Sequence, residues 1–470
     1  MGETPVRVCP GATLQVGAWS RTAHLTSVVP PTSTGLDQHH RREPNVIIKN
    51  VTVIDGTGGA DLPAMDVRIA DGRFEDIRPS AADPARAPSG DDGEVVLDGG
   101  GGYLLPGLWE SHTHLTGFAM SLPEAERLPH IQRAMAGYLA SGITSVCDLG
   151  GSVTQSRTIR EAGRVGGTAA SLFFAGPVFT SVQGWPLSFH GERSMAVEVG
   201  DVDEAHRQVE KLLDQVDFVK CIFDGKPRGG ERLPLAALEA IIQAAHGAGR
   251  KVLVHVATGT DLREAVTAGA DCIEHSFVPE DPADASEAEQ IAALLAETGT
   301  LYCPTLVTWE QLGRSGDPAY LDELVADGIS SAEDAAAIAA RPFWGMPFPH
   351  HPADESQTRF DYAMRTLPLF HEAGVKLVAG SDIAMAMPTP GSALLRELQL
   401  FTKAGLPLSE IIATATGRAA EKIGKRDVVG TVTVGAVADA LLLDADPLAD
   451  ISHLIDPRHR RAVISSGRLI

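Results

Sequence analysis

Short apolar segments alternate with amphipathic helical segments between residues 104 and 424, and this alternation restricts the possible fold more than any other feature. It is typical of βα units built around a parallel sheet. The predicted strands are 104–112, 144–149, 171–175, 218–223, 252–256, 272–275, 301–306 and 376–381. The main predicted helices are 129–140, 202–216, 234–248, 261–268, 285–298, 360–373 and 393–403. This pattern predicts an α/β protein with a (β/α)8 TIM barrel. A doubly wound open sheet is the alternative, and the absence of a Gly-x-Gly-x-x-Gly turn after a strand weighs against it.

The regions on either side of this segment are predicted to form β structure. Residues 46–54 are rich in β-branched side chains and are followed by the turn signal Asp55-Gly56. Residues 430–444 show a strand–turn–strand pattern. We therefore expect residues 45–103 and 425–470 to form one composite, β-sandwich-like domain beside a catalytic barrel of residues 104–424. Residues 1–44 are rich in Pro, Thr, Ser and Gly, which predicts an irregular N-terminal extension.

The charge and cysteine content exclude several classes of function. The 470-residue chain has 61 acidic and 39 basic residues, a net charge of −22, which argues against binding to nucleic acid or to an anionic membrane surface. Its five cysteines form no Cys-x-x-Cys pair, so neither a disulfide framework nor a thiolate zinc site is expected. Without an 18-residue apolar run or a signal sequence, the chain is expected to be cytoplasmic. A small-molecule substrate and a homo-oligomeric state are the expected partners.

Polar side chains lie at the ends of the predicted strands. His112 and His114 are two positions apart in a strand, so they point to the same face. The other such residues are Lys220, His255, His275 and Asp382. Each alone has an ordinary structural explanation, such as a paired core lysine or a hydrogen-bonded histidine. In a barrel, however, the carboxyl ends of all strands meet at one rim, where neutral imidazoles can bind a divalent cation.

Three further motifs make the chain similar to a known superfamily. They are Pro-Gly-Leu-Trp-Glu-Ser-His-Thr-His at 106–114, Thr-Ala-Thr-Gly-Arg-Ala-Ala-Glu-Lys-Ile-Gly at 414–424, and Gly-Ala-Val-Ala-Asp-Ala at 435–440. From residue 45 to the C-terminus the chain resembles the amidohydrolase superfamily, specifically its imidazolonepropionase-like and prolidase-like branch of metal-dependent hydrolases.

The resemblance implies a site with two divalent metal ions, which would be zinc, cobalt or manganese. His112, His114 and Asp382 would bind the deeper metal, and His255 and His275 the more exposed one. Lys220 would be N-carboxylated and would bridge the two metals. The modification is chemically reasonable because an ammonium group has no lone pair for a metal, whereas a carbamate offers two anionic oxygens.

The resemblance also implies a reaction. A metal-activated bridging hydroxide would hydrolyse an amide-type C–N bond, as in an amide or a carbamate, and Asp382 would act as general base and then as general acid. Prolidase-like relatives carry a Tyr two residues after the fifth-strand histidine, where this chain has Ala257. This departure favours a small, partly apolar substrate. The candidate substrate contacts, from two long loops, are Trp185, Phe189, Arg193, Trp309 and His350.

Other functions stay open at this point. A prolidase-like dipeptidase or N-acyl-amino-acid hydrolase, and a deaminase or cyclic-imidate hydrolase, could use the same six side chains. Outside enzymes, the chain could be a catalytically silent barrel that serves as a binding protein.

Overall fold

The computed structural model of the protein describes residues 45–80, 94–116, 122–187, 195–224, 231–340, 352–382 and 390–470. The predicted N-terminal extension lies outside the described residues. The described strands are, in chain order, β1 (Val46–Val53), β2 (Leu62–Ala70), β3 (Arg73–Pro79), β4 (Val95–Asp98), β5 (Tyr103–Pro106), β6 (Leu108–Thr113), β7 (Ile143–Asp148), β8 (Ser171–Phe174), β9 (Val178–Thr180), β10 (Ala196–Glu198), β11 (Val219–Phe223), β12 (Val252–Val256), β13 (Cys272–Glu274), β14 (Leu301–Cys303), β15 (Ala440–Leu443), β16 (Arg460–Ser465) and β17 (Arg468–Leu469).

Helices separate most of the strands from β6 onward, as the sequence predicts. The described α-helices are α1 (Glu124–Ala140), α2 (Val153–Gly166), α3 (Val202–Leu213), α4 (Leu235–Gly247), α5 (Gly259–Thr267), α6 (Ser286–Thr298), α7 (Leu306–Gly313), α8 (Pro318–Ala326), α9 (Ala332–Ala339), α10 (Ala353–Glu372), α11 (Ser392–Lys403), α12 (Leu408–Thr414), α13 (Gly417–Lys422) and α14 (Ser452–Ile455). Among the described helices, none is long and apolar enough to cross a membrane.

Strands from both ends of the chain form one mixed sheet. Its order is β17-β16-β15-β5-β1-β2-β3, and β4 also pairs with β1. Alternate side chains of β1, including Val46 and Ile48, pack with Leu442 and Ile464 in a shared apolar cluster. The prediction that the N-terminal and C-terminal β segments share a sheet is therefore confirmed. The C-terminal strand, however, begins at Ala440, since residues 431–434 have no strand conformation.

The first predicted barrel strand is divided in two at Gly107. Strand β5 belongs to the mixed sheet, and β6 belongs to a parallel sheet with β7 and β8. The chain changes sheets where it passes Thr144, and a Cβ atom at Gly107 would lie 2.2 Å from the Thr144 hydroxyl oxygen. Only glycine can pass so close to that side chain. The prediction of one continuous strand over 104–112 was wrong for this steric reason.

The remaining parallel strands lie in a second sheet of order β10-β9-β11-β12-β13-β14. Strands β11 and β12 are buried along their whole length, as expected for parallel strands that are covered on both faces. Strand β14 ends at Cys303, earlier than predicted. Thr305 adopts a left-handed conformation with φ 49°, and α7 begins at Leu306. The buried carboxylate of Glu397 accepts the backbone N–H groups of Leu306 and Val307 at 2.9 and 2.7 Å, which stabilises this helix start.

The eighth predicted strand is replaced by a single β-bridge between Tyr302 and Leu377. The segment that follows packs too closely against its neighbours for a regular strand. A Cβ atom at Gly380 would lie 2.9 Å from both the Cys303 sulfur and the His112 Cβ. On its other side the segment contacts β6, because the Asp382 N–H donates to the His112 carbonyl at 2.7 Å. The fold is thus an α/β fold with parallel sheets.

Candidate metal centre

The end of β6 places two histidines beside Asp382. The His112 and His114 Nε2 atoms lie 3.4 and 3.2 Å from Asp382 Oδ1. His112 is fully buried, whereas the Asp382 side chain is 19% exposed. The alternation of a strand explains why both histidines point the same way.

Strands β12 and β13 deliver the other two histidines to the same place. The His255 ring centre lies 4.5 Å from that of His275, which in turn lies 4.9 Å from that of His112. His275 Nδ1 lies 3.6 Å from Asp382 Oδ2. The structure therefore brings all four predicted histidines and Asp382 into one cluster.

Lys220, the second residue of β11, is buried beside this cluster. Lys220 is 2% exposed, and its Nζ atom has no hydrogen-bond partner within the described residues. Burial lowers the pKa of Lys220, and the charges of Glu274 and Asp382 only partly oppose this. A buried amine without a partner is energetically costly, so the presence of Lys220 beside a cluster of potential ligands calls for a chemical explanation.

The donor atoms are arranged as metal ligands would be. Two ligands at about 2.1 Å from a tetrahedral metal lie roughly 3.4 Å apart, close to the separations from Asp382 to His112 and His114. His112 Nε2 makes no hydrogen bond within the described residues. Burial lowers the pKa of His112 to about 3, which keeps its imidazole neutral. Burial alone would raise the pKa of Asp382, but His112 and His114 hold it at about 2. Two imidazoles and a carboxylate are a donor set that fits a divalent cation.

Three residues at the site have a strained backbone conformation. His275, Thr305 and Asp382 have φ angles of 77°, 49° and 44°, a region that side-chain-bearing residues rarely adopt. Local hydrogen bonds hold these conformations. Thr305 Oγ1 lies 2.9 Å from His275 Nδ1, and the Thr308 hydroxyl lies 2.7 Å from the carbonyl oxygens of Ser381 and Asp382.

Sequence reasoning missed three buried charged residues below the histidines. Glu274 lies 2.7 Å from His112 Nδ1, and Lys422 lies 2.8 Å from Glu274. Glu110 accepts hydrogen bonds from the N–H and the hydroxyl of Ser381, and burial raises its pKa to about 7. The sequence did contain one signal. Each of these charged residues lies in a mostly apolar segment or in one of the motifs, where a solvent-exposed side chain is not expected.

The structure describes only two of the five candidate substrate contacts. Trp309 is almost fully buried, edge-on to His275 at 6.0 Å between ring centres, with Arg359 stacked 3.8 Å from its ring centre. Trp185 is partly buried and packs against a small apolar cluster that includes Ile222. The other three candidates, Phe189, Arg193 and His350, lie outside the described residues.

Comparison with known proteins identifies the family of this chain. A sequence profile of the Amidohydrolase family matches residues 103–470. The chain is 22% identical to an imidazolonepropionase from Polaromonas sp., over 95% of this chain and 96% of that protein. It is 23% identical to ochratoxinase from Aspergillus niger, over 78% of this chain and 75% of that protein. Among solved structures, a putative prolidase from Bifidobacterium longum has a TM-score of 0.68 at 24% identity, over 91% of this chain and 95% of that one.

The parallel-sheet α/β fold and the cluster of histidine and carboxylate ligands at strand ends define a metal-binding hydrolase that acts on carbon–nitrogen bonds. The chain belongs to the Amidohydrolase family.

Proposed function

We propose that the protein is a binuclear metal-dependent hydrolase that cleaves an amide-type C–N bond in a small, partly apolar substrate. His112, His114 and Asp382 would bind one divalent metal, and His255 and His275 the other. Lys220, N-carboxylated, would bridge the two.

The observation that carries this proposal is the position of Lys220. Among the residues that the structure describes, its buried Nζ has no hydrogen-bond partner, and it lies in a cluster that already holds four imidazoles and a carboxylate. Since an ammonium group cannot ligate a metal, carboxylation is the change that would make this side chain a partner for the ligands around it. A site with one metal would give Lys220 no role as a bridging ligand.

The residues around the cluster have separate tasks in the proposed reaction. The bound metals would polarise the scissile carbonyl and lower the pKa of a water molecule. Asp382, whose side chain is partly exposed, would accept the proton of the attacking water on a carboxylate oxygen and pass it to the departing nitrogen. The C–N bond breaks as the new C–O bond forms, and the products are an acid and an amine.

The substrate proposal depends on the surroundings of His255. The position two residues beyond it is Ala257, which is fully buried and offers no group to hold a substrate carboxylate. Asp224 adds a negative charge 3.8 Å from His255 Nε2. A neutral amide or carbamate therefore suits this side of the site better than an acidic dipeptide. We also propose that the protein is a homo-oligomer.

We further propose that the two parallel sheets close into a (β/α)8 barrel and that the mixed sheet forms a separate small domain of residues 45–103 and 425–470. Hydrogen bonds at both open edges support closure. The Asp217 N–H, just before β11, donates to the carbonyl of Phe174 in β8 at 3.1 Å. The hydroxyl of Ser111 in β6 donates at 2.6 Å to the carbonyl of Ala379, which follows the Leu377 bridge to β14.

Elemental analysis of protein from metal-supplemented cultures tests the proposal. We expect close to two divalent metals per chain, together with mass or diffraction evidence for a carboxylated Lys220 and hydrolysis of neutral amides or carbamates. Lys251→Met is a suitable control for substitutions of Lys220, since Lys251 pairs with Asp271 at the surface. At most one tightly held metal in the wild-type protein would refute the binuclear site. Release of ammonia from a panel of deaminase substrates, without hydrolysis of any amide or carbamate, would refute the reaction.

A further inference from the structure

A buried chain of polar groups runs from the metal cluster into the motif at 414–424. His112 Nδ1 lies 2.7 Å from Glu274 Oε2, and Glu274 Oε1 lies 2.8 Å from Lys422 Nζ. All three side chains are 0% exposed. None of these contacts is needed to hold the strands together, since β6 and β13 have their own backbone partners.

Lys422 is the last residue of α13 and reaches two parts of the β6 end at once. Its Nζ donates to the carbonyl oxygen of Ser111 at 3.0 Å, immediately before His112 in the chain. The same Nζ contacts the carboxylate that binds the His112 ring. Lys422 therefore constrains both the backbone and the side chain of this histidine.

The charges fix the direction of the hydrogen bond. Glu274 lies between Lys422 Nζ and His112 Nδ1, at 2.8 and 2.7 Å, which is the arrangement of a carboxylate paired with an ammonium group. A carboxylate can only accept hydrogen bonds. The hydrogen in the contact with Glu274 must therefore sit on His112 Nδ1, and Nε2 keeps its lone pair. That Nε2 is the atom that lies 3.4 Å from Asp382 Oδ1.

We propose that Lys422 is a positioning residue, which acts through Glu274 to fix the ring orientation and the hydrogen position of His112 so that only Nε2 is offered to the metal. The inference rests on the proposed metal site. It also gives a function to the motif at 414–424, which lies far from the strand ends in sequence. Partners that orient a ligating histidine in this way typically contribute about 10–100-fold to metal affinity.

Two variants separate positioning from a merely structural role. Lys422→Met leaves Glu274 buried and unpaired, so it is expected to weaken the fold as well as the site. In Glu274→Met/Lys422→Met both charges are gone and the side-chain volumes are nearly kept. We expect this double variant to recover thermal stability in the metal-free protein, while its affinity for Zn²⁺ stays roughly 10–100-fold below that of the wild type. Its Co²⁺ absorption spectrum should change as well, since the His112 ring is no longer held.

Glu421→Gln is the matched control. Glu421 is the neighbour of Lys422 in α13, and its ion pair with Lys376 lies near the surface. We expect wild-type Zn²⁺ affinity and an unchanged Co²⁺ spectrum for this variant.

The outcomes distinguish the two proposals. Wild-type protein that binds no more Zn²⁺ than His112→Ala would overturn the metal site itself. A double variant with wild-type Zn²⁺ affinity would overturn only the role of Lys422 and Glu274. Should neither variant fold, neutron diffraction on the wild-type protein decides: hydrogen on His112 Nδ1 supports the inference, and hydrogen on Nε2 overturns it.

Discussion

The hydroxyl of Thr308 lies 2.7 Å from the carbonyl oxygen of Asp382, the residue proposed to move the proton. Thr308 stands in the first turn of α7, and the same hydroxyl lies 2.7 Å from the Ser381 carbonyl. Asp382 has a φ of 44°, a conformation that needs support from its surroundings. The start of α7 is itself held by Glu397. The helix after β14 thus positions the proposed catalytic carboxylate.

Replacing Thr308 with Val should therefore lower turnover without removing the metals. Valine keeps the side-chain shape but not the hydroxyl, so Asp382 can move from its productive place. Misplacement of a catalytic group by about 1 Å can cost on the order of 10²-fold in rate, and we expect a loss of kcat up to that size. Steady-state kinetics with metal analysis measure it. Thr402→Val is the control, because the Thr402 hydroxyl bonds only the Leu398 carbonyl within α11 among the described residues. A normal kcat in Thr308→Val would contradict the positioning role.

Asp382→Asn separates metal binding from proton transfer. Asparagine keeps the size and one carbonyl oxygen of the side chain but cannot accept the proton. General acid–base catalysis contributes roughly 10²–10⁴-fold, so we expect kcat to fall by at least that order while most of the metal is retained. Near-normal turnover with two metals bound would show that another group moves the proton. Loss of metal would show that Asp382 is needed as a ligand.

Lys220→Ala should be inactive and partly rescued by short carboxylic acids. A small carboxylate, such as acetate or propionate, could occupy the space of the proposed carbamate and offer two oxygens. Lys220→Arg should be inactive and should not respond to added acid, because its side chain fills that space. Activity measured against acid concentration tests this. Full activity of Lys220→Ala without added acid would exclude the lysine from the site.

Asp439 should make the stability of the protein depend on pH. Burial raises the pKa of Asp439 to about 7, despite a hydrogen bond from the Ser466 N–H at 2.6 Å. The folded protein therefore holds a proton that the unfolded chain releases near pH 4, so the free energy of unfolding decreases as pH rises from about 4 to about 7. The full effect of this shift is on the order of 4 kcal/mol.

Asp439→Asn should remove that dependence, because Asn is neutral at every pH and still accepts from Ser466. Urea unfolding at about pH 5 and about pH 8 would show it: the stability difference between wild type and variant should favour the variant more at the higher pH. An equal difference at both pH values would mean that Asp439 titrates normally in the folded protein.

The candidate site was largely predictable because its chemistry is attached to strand ends. Period-2 alternation puts His112 and His114 on one face, and parallel strands end at a common edge. These two rules apply to the sequence without any knowledge of packing. The strand limits at Gly107 and Cys303 were not predictable in the same way. They depend on the proximity of Thr144 and on a carboxylate from α11, which come close only in the folded chain.

The amino-acid pattern alone was enough to predict the βα alternation, the pairing of the terminal β segments and the residues that converge on the candidate metal site. Which groups lie behind these side chains depends on the tertiary packing. His112 and Glu274 are 162 positions apart, and Glu274 and Lys422 are 148 apart, yet each pair is in direct contact. Hydrophobic patterning specifies which face of an element is buried, whereas a contact between two buried charges depends on the exact packing of elements distant in sequence. A charged residue in an apolar segment shows that a partner must exist, but the identity of that partner is fixed only by the fold.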